Sequence, residues 1–156
     1  MPRPSYRCRL PHVRVDGATY FVTWRVRRDQ PDLAFTERAV VMATILHARG
    51  RRFQLDAVVV MNDHVHVIVT PGEGHSVEGI VQAWKAVSAV RLRTGDRLGG
   101  CWQREYYDRV IRGPRAFEAT LRYVEQNPAR RWPGIRDYPF LWLASRDDSP
   151  SSGEAT

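Results

Sequence analysis

The chain has 156 residues, with 24 lysine and arginine against 17 aspartate and glutamate and a formal charge of +7 at neutral pH. That length, with 43% hydrophobic residues, suits one globular domain with its own core and excludes a wholly disordered chain. The basic excess favours polyanionic partners, nucleic acid before membrane, and because Lys85 is the only lysine the excess is carried by arginine, whose planar fork grips phosphate and stacks on bases.

The opening segment through Gly17, "MPRPSYRCRL" onward, mixes proline, arginine and short apolar pieces and reads as an arm, residues 1–17. It lacks the apolar stretch of a secretory signal, and no run of about 18 apolar residues occurs anywhere, so neither export nor a membrane span is expected. Cys8 and Cys101 stand alone, without the spacing of a zinc cluster or a disulfide framework, which fits a reducing cytoplasm.

The domain proper is expected over residues 18–143. In "ATYFVTWRVR", Tyr20, Val22, Trp24 and Val26 alternate with Thr19, Phe21, Thr23, Arg25 and Arg27, the period of a strand with one buried and one more polar face. Thr36 is placed to cap a helix that stops at Gly50. "FQLDAVVVM" is apolar on both sides near its end, as an interior strand would be. Asn62-Asp63 supplies a turn and "HVHVIVT" returns as the next strand of a hairpin. Ser76 is a cap for a second helix with a core stripe of Val77, Ile80, Val81, Trp84 and Val87. After the glycine-rich "TGDRLGG", "CWQREYYDRVIR" suits a fourth strand, and a last helix should end at Asn127-Pro128, because a residue before proline is pushed out of helical geometry. Residues 144–156 are small and polar and are expected to be a disordered tail. The order β-α-β-β-α-β plus one helix is ferredoxin-like: an α+β fold with an antiparallel sheet, two helices on one face and the other face open.

The chemistry concentrates in "MNDHVHVIVT". Side chains two apart on a strand point the same way, so His64, His66, Ile68 and Thr70 share one face while Val65, Val67 and Val69 share the other. With the valines turned to the helices, both imidazoles lie on the open face, where two histidines at this spacing can share one metal ion with a third ligand. Tyr123 and Asn127 are four residues apart on the last helix and therefore on one side of it. Together they could bring a nucleophile and an oxygen ligand to such a metal.

The string "MNDHVHVIVT", then "WKAVSAVR", "CWQREYYDRVIR" and "RYVEQNP" in that order, with "GATYFVT" and "YPF" at the ends, resembles the single-tyrosine HUH transposases of the IS200-like superfamily, and within them the REP-associated tyrosine transposases. The resemblance runs from about Gly17 to Leu143. It implies an endonuclease and strand transferase for single-stranded, hairpin-bearing DNA, with His64, His66 and Asn127 as metal ligands, Mg²⁺ or Mn²⁺ as the metal, and Tyr123 as a nucleophile that forms a 5′-phosphotyrosine. A monomer is favoured over a dimer. Asn62-Asp63 stands where the family commonly has Pro-Asn, "ARRWPGIRDYP" replaces an Ala-Gly-Leu stretch, and Arg109 occupies a position often held by histidine.

For DNA contact the sequence offers Arg25, Arg27, Lys85, Arg91, Arg104, Arg109 and Arg112 for phosphate, and Trp102, Tyr106 and Tyr107 for stacking on unpaired bases. The alternative is a domesticated relative that binds structured single-stranded nucleic acid without cutting it.

Overall fold

The computed structural model describes residues 17–93, 97 and 100–144. The expected arm before Gly17, the expected tail after Ala144 and most of the glycine-rich break lie outside the described residues. The elements are β1 (Tyr20–Val26), α1 (Phe35–Leu46), β2 (Phe53–Val60), β3 (His64–Pro71), α2 (Val77–Arg91), β4 (Trp102–Val110), α3 (Gly113–Arg131) and β5 (Leu141–Leu143). The strands form one sheet in the order β4-β1-β3-β2-β5, with every neighbouring pair antiparallel. The first four strands thus take the ferredoxin-like order expected from the sequence.

The sheet is covered on both sides because its central strands are apolar on both sides. Val22, Trp24, Val58, Val60, Val65, Val67 and Val69 pack with Val41 and Ile45 of α1 and Val81 and Trp84 of α2. Phe21, Ala57, Val59, Met61 and Ile68 form a second cluster with Val124 of α3. The helix carrying Tyr123 therefore crosses the face expected to be open, and its apolar side is what shields Ile68 and Val59 from water. The β2–β3 hairpin closes tightly, with the Met61 N–H donating to the His64 carbonyl at 2.8 Å.

Four local expectations are corrected. The N-cap of α1 is Ala34, not Thr36, and the helix ends at Leu46; the Glu37 carboxylate accepts the Ala34 N–H at 3.0 Å, which satisfies a donor the helix start leaves orphaned. In α2, Ser76 caps as expected, accepting from the Gly79 N–H at 3.1 Å. Val87, however, is 43% exposed while Ser88 is buried; the Ser88 hydroxyl donates to the Trp84 carbonyl at 2.6 Å and accepts from the Trp102 indole at 2.9 Å, so its polarity is spent locally. Helix α3 does not stop at Asn127 but runs through Pro128 to Arg131. Proline removes one helical N–H, yet Pro128 is buried in this position and the Trp132 N–H closes the last turn on its carbonyl at 2.8 Å.

The fourth correction is β5, which the sequence reading did not contain. The "ARRWPGIRDYP" segment is anchored by Trp132 against Tyr138, with ring centroids 5.5 Å apart, and by the Tyr138 hydroxyl, which donates to the Val60 carbonyl at 2.6 Å. Those contacts deliver Leu141–Leu143 to the edge of β2, so β2 is interior as its composition required.

Candidate active site

In the β1–β3 register Thr23 faces His66 and Arg25 faces His64. The Thr23 hydroxyl lies 2.6 Å from His66 Nδ1, and the Asp63 carboxylate lies 2.6 Å from His64 Nδ1. A carboxylate only accepts, so His64 Nδ1 carries the proton in that contact. Both imidazoles are thereby held at Nδ1, which turns Nε2 of each towards α3 and the pocket, as in protein metal sites where an outer partner fixes the ring.

His64 Nε2 is 3.2 Å from Oδ1 of Asn127. A ring nitrogen of β3 and a side-chain oxygen of α3 thus meet at one point, both of them atom types that ligate divalent ions. His66 Nε2 is buried and has no hydrogen-bond partner among the described residues, which is costly unless something positive completes it. Burial, followed by the charges of His64 and Arg25, pushes the His66 imidazole down from 6.5 to about 3, so it is neutral and able to ligate near pH 7. Among the described residues no three His, Cys, Asp or Glu side chains gather as a metal cluster. The residues that fit a divalent ion are therefore two imidazoles and one amide oxygen, a mixed N/O set.

Tyr123 comes to the same place from α3. Its ring lies 5.4 Å from that of His66 and 6.1 Å edge-on from Phe21, and the Arg130 guanidinium sits 4.7 Å above it. The tyrosine is 39% exposed, whereas Asn127, one turn on, is 7% exposed. One helix face thus presents a reachable phenol and a sequestered amide. A pocket of about 470 Å³ opens beside them, with His66, Tyr123, Arg25 and the β4 residues Gln103, Glu105 and Tyr107 on its walls.

Of the other residues singled out, Arg25 lines this pocket. Arg109 reaches the same side: its guanidinium lies 5.2 Å over Phe21 and donates to the Thr120 hydroxyl at 3.2 Å, bracing β4 against α3. Arg27 forms a bidentate pair with Asp29. Arg104 and Arg112 are exposed, Arg104 in the same strand phase as Trp102. Lys85 donates to the Gln103 and Arg104 carbonyls at 2.8 and 3.0 Å, tying α2 to β4. Arg91 donates to the Thr44 hydroxyl and lines a separate pocket between α1 and α2, across the sheet from the histidines. Trp102 is corrected: at 8% exposure and bonded to Ser88, it is core and offers no stacking face. Tyr107 is 37% exposed and, with Tyr106, lines the pocket beside His66 and Tyr123.

The sequence reading missed Thr23, Phe21 and Arg130, and took Asp63 only as a turn former. Thr23 becomes visible only once the β1–β3 register is known. Burial raises the Cys101 thiol to about 11, which removes it as a competing nucleophile.

Residues 20–127 match the family described as Transposase IS200 like. This is more than half of the chain, and the chain belongs to that family. The REP-associated tyrosine transposase of Escherichia coli (strain K12) is 26% identical over 129 residues, covering 81% of this chain and 76% of that protein. Among solved structures, a REP-associated tyrosine transposase bound to a REP hairpin superimposes with a TM-score of 0.71 at 23% identity, over 85% of this chain and 80% of the other. A transposase candidate from Deinococcus radiodurans R1 gives a TM-score of 0.50 at 20% identity, over 75% and 95% of the two chains. At these identities the two structures speak for the fold.

Proposed function

We infer that the protein is a metal-dependent endonuclease and strand transferase for single-stranded DNA with hairpin structure, working through Tyr123. The observation that carries this reading is the convergence of His64 Nε2 on Asn127 Oδ1 at 3.2 Å with the Tyr123 ring 5.4 Å from His66. Hairpin DNA as the substrate is supported by the relative solved with a REP hairpin.

His64, His66 and Asn127 would hold Mg²⁺ or Mn²⁺, which when bound polarises a phosphodiester and stabilises charge building on its oxygens. The chain's own groups do the rest. Arg25 on the pocket wall and Arg130 over the Tyr123 ring supply positive charge for the approaching backbone. Phe21, His66 and Arg130 pack the tyrosine ring so that its hydroxyl, not its face, meets phosphorus, which trims the entropy of attack. Tyr123 Oη bonds to phosphorus as the P–O3′ bond breaks; the phenol loses its proton and the departing 3′ oxygen gains one. The product is a 5′-phosphotyrosine and a free 3′ hydroxyl. Because one phosphodiester-type bond replaces another, a second 3′ hydroxyl can reverse the step on a new end without an energy source.

The test is a denaturing gel of protein incubated with Mn²⁺ or Mg²⁺ and labelled single strands from hairpins flanking its own gene. A covalent band that needs metal and is lost in Tyr123→Phe, while that variant still binds, is the expected result. An adduct of equal yield in Tyr123→Phe would remove the tyrosine from the mechanism.

A further inference from the structure

The pocket at His66 and Tyr123 continues along β4 past groups that the strand-transfer chemistry does not use. Gln103, Glu105 and Tyr107 alternate on that strand and so face the same side, and all three line the pocket. Tyr107 and Tyr123 are 37% and 39% exposed, so both rings are reachable from solvent. Gln103 is held by its amide nitrogen, which donates to the Val26 carbonyl at 3.2 Å. Glu105 is exposed and has no ion-pair or hydrogen-bond partner among the described residues.

A lone carboxylate is out of place in a cleft that a phosphodiester strand must enter, because like charges a few Å apart repel. It is suited to N–H donors, and on a nucleic acid those belong to the bases. The four bases differ in what they offer a carboxylate. Guanine carries N1–H and N2–H side by side on its Watson–Crick edge, matching two carboxylate oxygens as a bidentate pair. Adenine and cytosine have one amine beside acceptors, and thymine has one N–H between two acceptors. Stacking on Tyr107 holds any base about equally, so discrimination falls to Glu105, and Arg25 on the adjoining strand is left for the flanking phosphate.

We propose that this pocket takes one unpaired nucleobase of the DNA strand lying across Tyr123, and that Glu105 selects guanine there by accepting its N1–H and N2–H. The proposal depends on the reading that single-stranded DNA crosses Tyr123, but not on the tyrosine's chemistry.

The experiment uses the full chain in a chelator, so that no cleavage occurs, and fluorescence anisotropy with labelled short thymidine strands carrying one central dG, inosine, dA or dC. Inosine keeps N1–H and lacks the N2 amine. The expected result is binding of the dG strand about tenfold tighter than the inosine strand. In Glu105→Gln, whose amide pairs with adenine instead, the dG preference should vanish and a dA preference should appear, with the all-thymidine strand bound as tightly or more tightly, because a negative charge has left the cleft. Equal affinity for dG and inosine, a dG preference that survives Glu105→Gln, or no binding to any strand would each overturn the proposal. The Tyr123→Phe gel is scored separately: a dG preference without a covalent adduct would sink the transferase reading and leave the base pocket standing, and the converse result would do the opposite.

Discussion

The Nε2 of His64 lies 3.2 Å from the Oδ1 of Asn127, so a strand in the middle of the sheet and a helix late in the chain converge on one point, with Asp63 holding the other ring nitrogen at 2.6 Å. If Asp63 orients His64 for a metal, Asp63→Ala should weaken Mn²⁺ binding by about 10–100-fold and leave the folding midpoint without metal nearly unchanged, since the carboxylate is half exposed. Asn127→Leu should also lose Mn²⁺ affinity. Calorimetric titration of the DNA-free protein reads both, and wild-type affinity in Asp63→Ala would show that the carboxylate is only part of the turn.

His66 gives a pH dependence whose sign follows from burial. Its folded-state value is pushed down to about 3 from 6.5, so between those limits the unfolded chain binds a proton that the folded chain refuses. Stability contributed by the neutral imidazole is therefore present above about pH 6.5 and falls away as the solution is acidified towards pH 3. Urea midpoints measured in a chelator at about pH 7 and pH 4.5 should drop for the wild type, and drop less for His66→Gln. Parallel drops would mean that His66 is not the group responsible.

Arg25 and Lys85 separate phosphate contact from structure. Arg25 is exposed in the pocket that His66 and Tyr123 line, and Arg25→Ala should reduce the salt slope of single-strand binding by roughly one. Lys85 has its ammonium on two β4 carbonyls; Lys85→Met should leave that slope alone and lower the urea midpoint. The reverse pattern would exchange their roles.

Trp84 tests the core away from the site. It is 4% exposed, stacks on Trp24 at 5.9 Å and meets Phe53 edge-on at 5.1 Å. Trp84→Ala should cost about 3–5 kcal/mol by denaturant unfolding, while the folded fraction still binds DNA. A loss under about 1 kcal/mol would show that the helix face repacks.

Much of this protein was legible in the linear chain because its patterns are short-range. Alternation in "ATYFVTWRVR" and "HVHVIVT" sets which side chains share a sheet face, and four-residue spacing puts Tyr123 and Asn127 on one side of a helix, since both follow from backbone periodicity alone. Ser76 could be named as a cap for the same reason. What required the tertiary structure were features whose partners are distant in sequence. Thr23 meets His66 only through strand register. Trp102 looked like a stacking surface until α2 covered it, and β5 exists because Trp132 and Tyr138 lock an irregular segment against β2. Helix α3 passes through Pro128 because burial there outweighs one missing N–H bond. The sequence by itself determined which residues face together; long-range packing decided which of those faces are buried, which open into a pocket, and that the helix bearing Tyr123 lies over the two histidines.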